Sequence, residues 1–223
     1  MLNNKMFSEQ LHIRYVKLRI TIQMAQDCAL PLHKGSMFRG GIGEMLLRQH
    51  CIRDRDCAAC DFESECIVQR TMYSKFTEKP GYMHEGDSVG YVLECESLKT
   101  EFQAGDRMDL YLILIGKTIV YFSQYLNAIY ALGTYGAGKD QARFHIIRIR
   151  NTTGEDILYG QDIWMKNYRP EMLEDYVLRR EAELSAAQSS GSPSEYLLRI
   201  HSPLSIKYHG EMLKEFHSDA ILR

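Results

Sequence analysis

Four thiols are crowded into sixteen residues, Cys51, Cys57, Cys60 and Cys66, with five, two and five residues between them. The central Cys-Ala-Ala-Cys is the usual half of a zinc site, and the two outer thiols complete a tetrahedral set without help from elsewhere. Because every ligand would be sulfur, no position remains for a reactive water, so the metal would fasten a loop. Structural Zn²⁺ is the leading reading. An iron–sulfur cluster is the second thiolate-rich option, and a metal-free redox or disulfide form is the third. Cys28 and Cys95 read as small buried apolar residues. The start, MLNNKMFSEQ, has no signal-peptide apolar region, so a reducing compartment and a soluble cytoplasmic protein are expected.

A second kind of chemistry is anion binding. The chain of 223 residues carries 27 Lys+Arg against 29 Asp+Glu, a formal net charge of -2, which excludes a globally basic nucleic-acid binder. The local balance differs. Residues 12–50 hold six basic side chains (Arg14, Lys17, Arg19, Lys34, Arg39, Arg48) against Asp27 and Glu44, and residues 139–150 add Lys139, Arg143, Arg148 and Arg150 against Asp140. Gly133, Gly136 and Gly138, followed by Lys139, could bring backbone amides close to an anion. The spacing is not that of a Walker loop, Asp140 stands where a hydroxyl is needed, and GSMFRGGIG is no dinucleotide fingerprint, so nucleotide hydrolysis is excluded.

These groups must be positioned by regular elements. Residues 12–24 alternate with period two, apolar at Val16, Leu18, Ile20, Ile22 and Met24, and read as a long half-buried strand. A glycine-rich first helix follows behind a Ser36 cap, with Gly40, Gly41 and Gly43 expected to have a packing or ligand-approach reason. Residues 89–96 and 107–115 read as two antiparallel strands, 117–132 as a second helix stopped by Gly133, and 143–150 as a fourth strand. The order predicts an α+β fold, a ferredoxin-like (RRM-like) βαββαβ unit with both helices on one sheet face. Its other face is left to a partner, and the first strand lies beside the fourth. Beyond residue 150 come an extended pair near 157–164, a charged helix near 170–187, and two strands around His209 and Gly210 with a helix beginning near the end. With 45% hydrophobic residues the chain is long enough for a real core, and no run reaches the roughly 18 apolar residues that a membrane span needs.

The runs LPLHKGSMFRGGIGEMLLRQHC, SECIVQRTMYSKF, LGTYGAGKDQARFHIIRI and HSPLSIKYHG, in that order, resemble the CRISPR-associated pre-crRNA processing endoribonucleases of the RAMP superfamily, closest to the branch with a four-cysteine insertion after the first helix. The resemblance covers nearly the whole chain. It implies two tandem ferredoxin-like domains that bind the repeat of a CRISPR transcript and cut it without a metal. The 2′-hydroxyl would attack the neighbouring phosphodiester and leave a 2′,3′-cyclic phosphate. Such a step needs a base, an acid and a cation on the developing charge. Family nucleases often place a histidine in or near the first helix, and the candidates here are His33 and His50, with Lys34 or Arg39 as charge stabiliser.

On this reading residues 1–150 form the first domain, with the metal-binding insertion at 51–66. Residues 151–194 are a connecting hairpin and helix, and 195–223 are the first strands of an incomplete second ferredoxin-like domain. The expected RNA contacts are Lys17, Arg19, Arg39, Gly136, Gly138 and Lys139, converging on one surface. Three functions are open: a transcript-processing ribonuclease, a non-catalytic RNA-binding or assembly subunit that works with other CRISPR-associated proteins, and a zinc-stabilised protein-interaction domain.

Overall fold

The computed structural model describes residues 12–72, 90–189, 207–208, 211–213 and 215. Its central element is β1 (Arg14–Met24), in which Val16, Leu18, Ile20, Ile22 and Met24 are all buried and the intervening residues are not. β1 pairs antiparallel on one edge with β5 (Arg107–Ile115) and on the other with β6 (Phe144–Arg150). β3 (Tyr91–Glu94) joins the far edge of β5. The order β3-β5-β1-β6 is that of a ferredoxin-like βαββαβ unit, and the first strand does lie beside the fourth.

Smaller strands extend this frame. β2 (Cys28–Ala29) pairs with β4 (Glu101–Phe102) in a separate ladder. β7 (Asp156–Tyr159) and β8 (Asp162–Ile163) carry the sheet beyond β6, and β9 (Glu171–Met172) pairs with the start of β1. Residues 207–208 and 211–212 form a two-stranded antiparallel ladder, β10 and β11, where the sequence pattern put strands around His209. Most of the segment expected to open a second domain lies outside the described residues.

Two helices cover one sheet face. They are α1 (Gly35–His50) and α3 (Phe122–Tyr135), the latter preceded by a 3₁₀ turn at Gly116–Tyr121. Phe38, Ile42, Met45 and Leu46 of α1 and Tyr125, Ile129 and Leu132 of α3 meet Leu110, Leu112 and Leu114 of β5 and the apolar side of β1 in one core. α2 (Ile67–Met72) is a short turn after the cysteine loop, and α4 (Leu173–Ser189) is exposed from Asp175 through Ala186.

Two helix ends differ from expectation. α1 begins at Gly35 with Lys34 in the cap position and no side-chain cap, so Ser36 does not serve. α3 runs through Gly133 to Tyr135, because Gly133 is where the helix touches β6. A Cβ there would sit on the Phe144 carbonyl oxygen. Gly41 has the matching reason on α1, since its Cβ would lie 2.7 Å from Leu132 Cδ1. Gly40 has open space.

Gly133→Ala is therefore expected to cost about 2 kcal/mol through overpacking against backbone, and Gly40→Ala to add up to about 1 kcal/mol through helix propensity. Urea unfolding midpoints of the two variants check both signs.

Candidate nucleic-acid interface

The polar phase of β1 places Tyr15, Lys17, Arg19, Thr21 and Gln23 on the sheet face away from α1 and α3. Register puts Tyr111 and Asp109 of β5 on that same face, opposite Arg19 and Thr21. On the other edge Arg150 stands opposite Arg19 and Arg148 opposite Thr21. A bulge between Ile146 and Arg148 makes this possible. Thr21 pairs with Arg148 while Ile22 pairs with Ile146, so Ile147 is the extra residue, and His145, Arg148 and Arg150 all fall on the open face.

Lys17, Arg19, Tyr111 and Arg150 line a pocket of about 360 Å³ with Asn151, Thr152 and Gly154 of the β6–β7 turn. Asn151 holds this rim: its Oδ1 accepts from the Thr153 and Glu155 amides (3.1 and 2.9 Å), and its Nδ2 donates to the Asn167 carbonyl (3.1 Å). Thr152 Oγ1 donates to Glu171, which also accepts from Tyr15 Oη and Arg179. Burial works to raise the Glu171 pKa, but the bonds from Thr152 and Arg179 prevail and hold the carboxyl below its ordinary value. The rim is thus tied to β1 and α4.

The cations on this face are largely paired. Lys17 Nζ lies 3.1 Å from Glu94 and 5.1 Å from the centroid of the Tyr111 ring. Arg19 Nη2 is 2.5 Å from Asp109, and Arg148 grips Asp156 through both Nε and Nη2 (2.6 and 2.9 Å). Burial would raise the Asp109 pKa, yet Arg19 and the Thr21 hydroxyl hold it below the ordinary range. Arg150 is the exception. Its Nε is buried with no hydrogen-bond partner, although Asp109 and Asp156 both feel its charge. A half-buried guanidinium that shares a pocket with a phenol ring is suited to an anion that carries an aromatic group.

The other sequence-predicted residues are elsewhere. Lys34 is a correction: it has no exposed surface, and its Nζ donates to the Ser97 and Leu32 carbonyls (2.9 and 3.3 Å). Burial pushes its pKa down. It joins two chain segments in the interior and cannot reach a surface ligand.

Gly136, Gly138 and Lys139 lie in a turn closed by mutual bonds between Ala137 and Ala142 (both 2.9 Å). The amides of Gly136, Ala137, Gln141 and Ala142 all donate inside the chain and are not open to an anion. Gly138 abuts Met37, which puts the turn, with exposed Lys139, beside the first turn of α1 near Arg39 and His33. The expected single surface is therefore two places, one on the open face and one at the start of α1, with Lys34 buried in neither.

His33 and His50 flank α1 and are both exposed. Seventeen residues at 1.5 Å rise separate them by roughly 25 Å, and neither lines the open-face pocket. His50 instead borders a cavity of about 370 Å³ that all four clustered cysteines line. His145, which sequence reading passed over, is among the described residues the one histidine in the sheet, opposite Gln23 on the open face. Tyr111 and Arg150 were also missed as site residues. The available signals were a tyrosine in the polar phase of RMDLYLILI and the doubled Ile146-Ile147 that marks the bulge.

The profile of the family AF_1859_N, described as an N-terminal domain, matches residues 12–174. No curated protein matches the chain. Among solved structures, a chain from the Csm3-Csm4 subcomplex of a type III-A CRISPR-Cas interference complex is similar at 13% identity and a TM-score of 0.41, covering 78% of this chain and 96% of that one. No helix among the described residues is long and apolar enough to cross a membrane.

Asp109 gives this face an acid-sensitive tie. Its depressed folded-state pKa adds stability above the ordinary carboxylate value of about 4, and that share is lost as pH falls through the depressed value. Asp109→Asn is expected to cost about 1 kcal/mol at neutral pH. The gap from wild type should close in acid when urea unfolding is followed across that range.

Proposed function

The chain belongs to the AF_1859_N family of N-terminal domains, and from that footing we propose that it is an RNA-binding protein of the CRISPR-associated kind that takes single-stranded repeat RNA across the open face of its sheet. The four sequence motifs supply the CRISPR-associated part of this reading. The observation that carries the RNA part is the pocket built by Lys17, Arg19, Arg150 and Tyr111. A backbone phosphate would lie between Arg150 and Arg19, the adjoining base would stack on Tyr111, and the Thr152 hydroxyl and Asn151 would be within reach of the ribose. Lys17 and Arg19 begin in ion pairs with Glu94 and Asp109, so the RNA exchanges one set of oxygens for another. This makes Arg150 the principal electrostatic gain.

Of the two RNA readings, binding without cutting is favoured. A 2′-hydroxyl attack needs its base and acid at one phosphate, whereas His33 and His50 stand at opposite ends of α1, off the open face. Lys34, the proposed charge stabiliser, is buried. A chain that holds repeat RNA intact fits an assembly subunit working beside other CRISPR-associated proteins.

Fluorescence anisotropy with a labelled single-stranded CRISPR repeat RNA in EDTA tests the proposal. The expected result is binding that weakens steeply with salt while the RNA stays whole. Arg150→Gln should lower affinity about tenfold and reduce the salt slope by about one. Tyr111→Ala should cost about 1–3 kcal/mol with the slope unchanged, and Lys139→Ala should leave both unaltered. Cleavage in EDTA would overturn the non-catalytic assignment. Salt-insensitive binding, or greater dependence on Lys139 than on Arg150, would overturn the surface.

A further inference from the structure

Residues 52–65 lie between the end of α1 and the start of α2 with no helix or strand of their own, and not one of them is buried. Ordering each residue costs about 1–2 kcal/mol of backbone entropy, and a long loop with no core side chain has little to offset that cost. The backbone nevertheless follows a defined course. Asp54 and Arg55 both hold left-handed conformations (φ 47° and 69°), rare for residues other than glycine. The result of that turn is that the Arg55 amide donates to Cys51 Sγ at 3.2 Å.

The four thiols are half-buried, as is Glu63, and all four line one cavity of about 370 Å³ together with Leu47, Tyr121 and Gln124 from the helix side. Cys51 and Cys66 are fixed by helices: the Cys51 amide bonds the Leu47 carbonyl (2.9 Å), and the Cys66 carbonyl accepts from the Arg70 amide (3.0 Å). Cys57 and Cys60 sit on a turn closed by a bond from the Cys60 amide to the Cys57 carbonyl (3.3 Å). One pair is anchored by helix hydrogen bonds, and the other sits on a turn tied only by polar contacts within the loop, Arg53 to the Ala59 carbonyl and the Ala59 amide to Asp56.

We propose that Cys51, Cys57, Cys60 and Cys66 bind one structural Zn²⁺ that draws the loop down onto this cavity. Among the described residues no three donor side chains are gathered around one point as they stand, so the inner pair must move inward as the ion binds. Binding would deprotonate the four thiols, and the site would carry a net charge of -2. Arg53 on the cavity wall and the Arg55 amide on Cys51 Sγ compensate this charge, the amide serving as an outer-shell donor to a thiolate. His50 borders the cavity, but four sulfurs complete the tetrahedron and His50 is not a ligand. The cavity shares no residue with the open-face pocket, so the inference is independent of the RNA reading.

The reduced full chain, stripped by chelator, is titrated with Co²⁺ and then with Zn²⁺ against a chromophoric competitor. One equivalent of Co²⁺ should give sulfur-to-metal charge transfer and the intense visible bands of a tetrahedral site, and Zn²⁺ should bleach them. Trypsin cleavage after Arg53 and Arg55 should slow about tenfold with Zn²⁺ present. Cys60→Ser should lose the tetrahedral signature, while His50→Ala and Cys28→Ser keep it. The wild-type titration stands even if Cys60→Ser fails to fold. Reduced wild-type protein that takes up no metal would overturn the proposal. So would an iron–sulfur chromophore in protein as isolated, or loss of cobalt binding in His50→Ala.

Discussion

Strand β1 is hydrogen-bonded along both edges and covered by helices on one face only, so its eleven residues must alternate between apolar and polar. That alternation positions everything else. A slip of one residue would turn Leu18 and Ile20 to solvent and bring Lys17 and Arg19 into the core against Phe38 and Leu46, at a cost far above the stability of a domain of this size. The same register lines up Tyr111 and Asp109 on one flank of β1 and, after the Ile147 bulge, Arg148 and Arg150 on the other. The open-face pocket is thus a by-product of burying the opposite side.

The open face is a balanced surface with a local surplus, and this explains why segmental charge counting was a poor guide. Counting along residues 12–50 and 139–150 found excess cations, but Glu94, Asp109 and Asp156 come from other strands and meet Lys17, Arg19 and Arg148 in space. Lys34 was counted as surface charge although its ammonium lies among carbonyls in the interior, a placement that no local pattern announces. A solvated ion pair contributes little to stability, but it holds each guanidinium in one orientation. The ion pairs therefore hold these cations in place, and on the proposed reading they are arranged before a polyanion arrives.

Where a residue's burial is set by strict periodicity, the sequence was a good guide: β1, β5 and β6 agree with the expected strands to within two residues, and the order of a ferredoxin-like sheet followed from them. It was a poor guide where one long-range contact decides. Gly133 has a helix stopper's identity but stands inside α3, because its missing side chain admits β6. The turn at residues 136–141 has the composition of an anion loop, yet the Gly136 amide caps α3 and the Ala137 and Gln141 amides close the turn itself. Tyr111 differs in no local way from the core-facing residues beside it except in the parity of its position. Its place in the pocket emerges only once Lys17 of the neighbouring strand is seen to lie over its ring.

The cysteine loop and the open face sit on opposite sides of the sheet and make opposite demands on the chain. On the open face, β-ladders, an asparagine-held turn and ion pairs hold the backbone and most of the charged side chains in place. In the loop no apolar side chain between Cys51 and Cys66 reaches the core: the ties are polar, the Arg55–Glu44 ion pair among them, and the left-handed turn at Asp54 and Arg55 presents an amide to a sulfur. A fold that can bury Lys34 to join two segments has no evident need of a further loop without a core. On the zinc proposal, the loop's further stabilising contact is with the metal the thiols hold. This lets the insertion be added at the end of α1 without disturbing the register on which the other face depends.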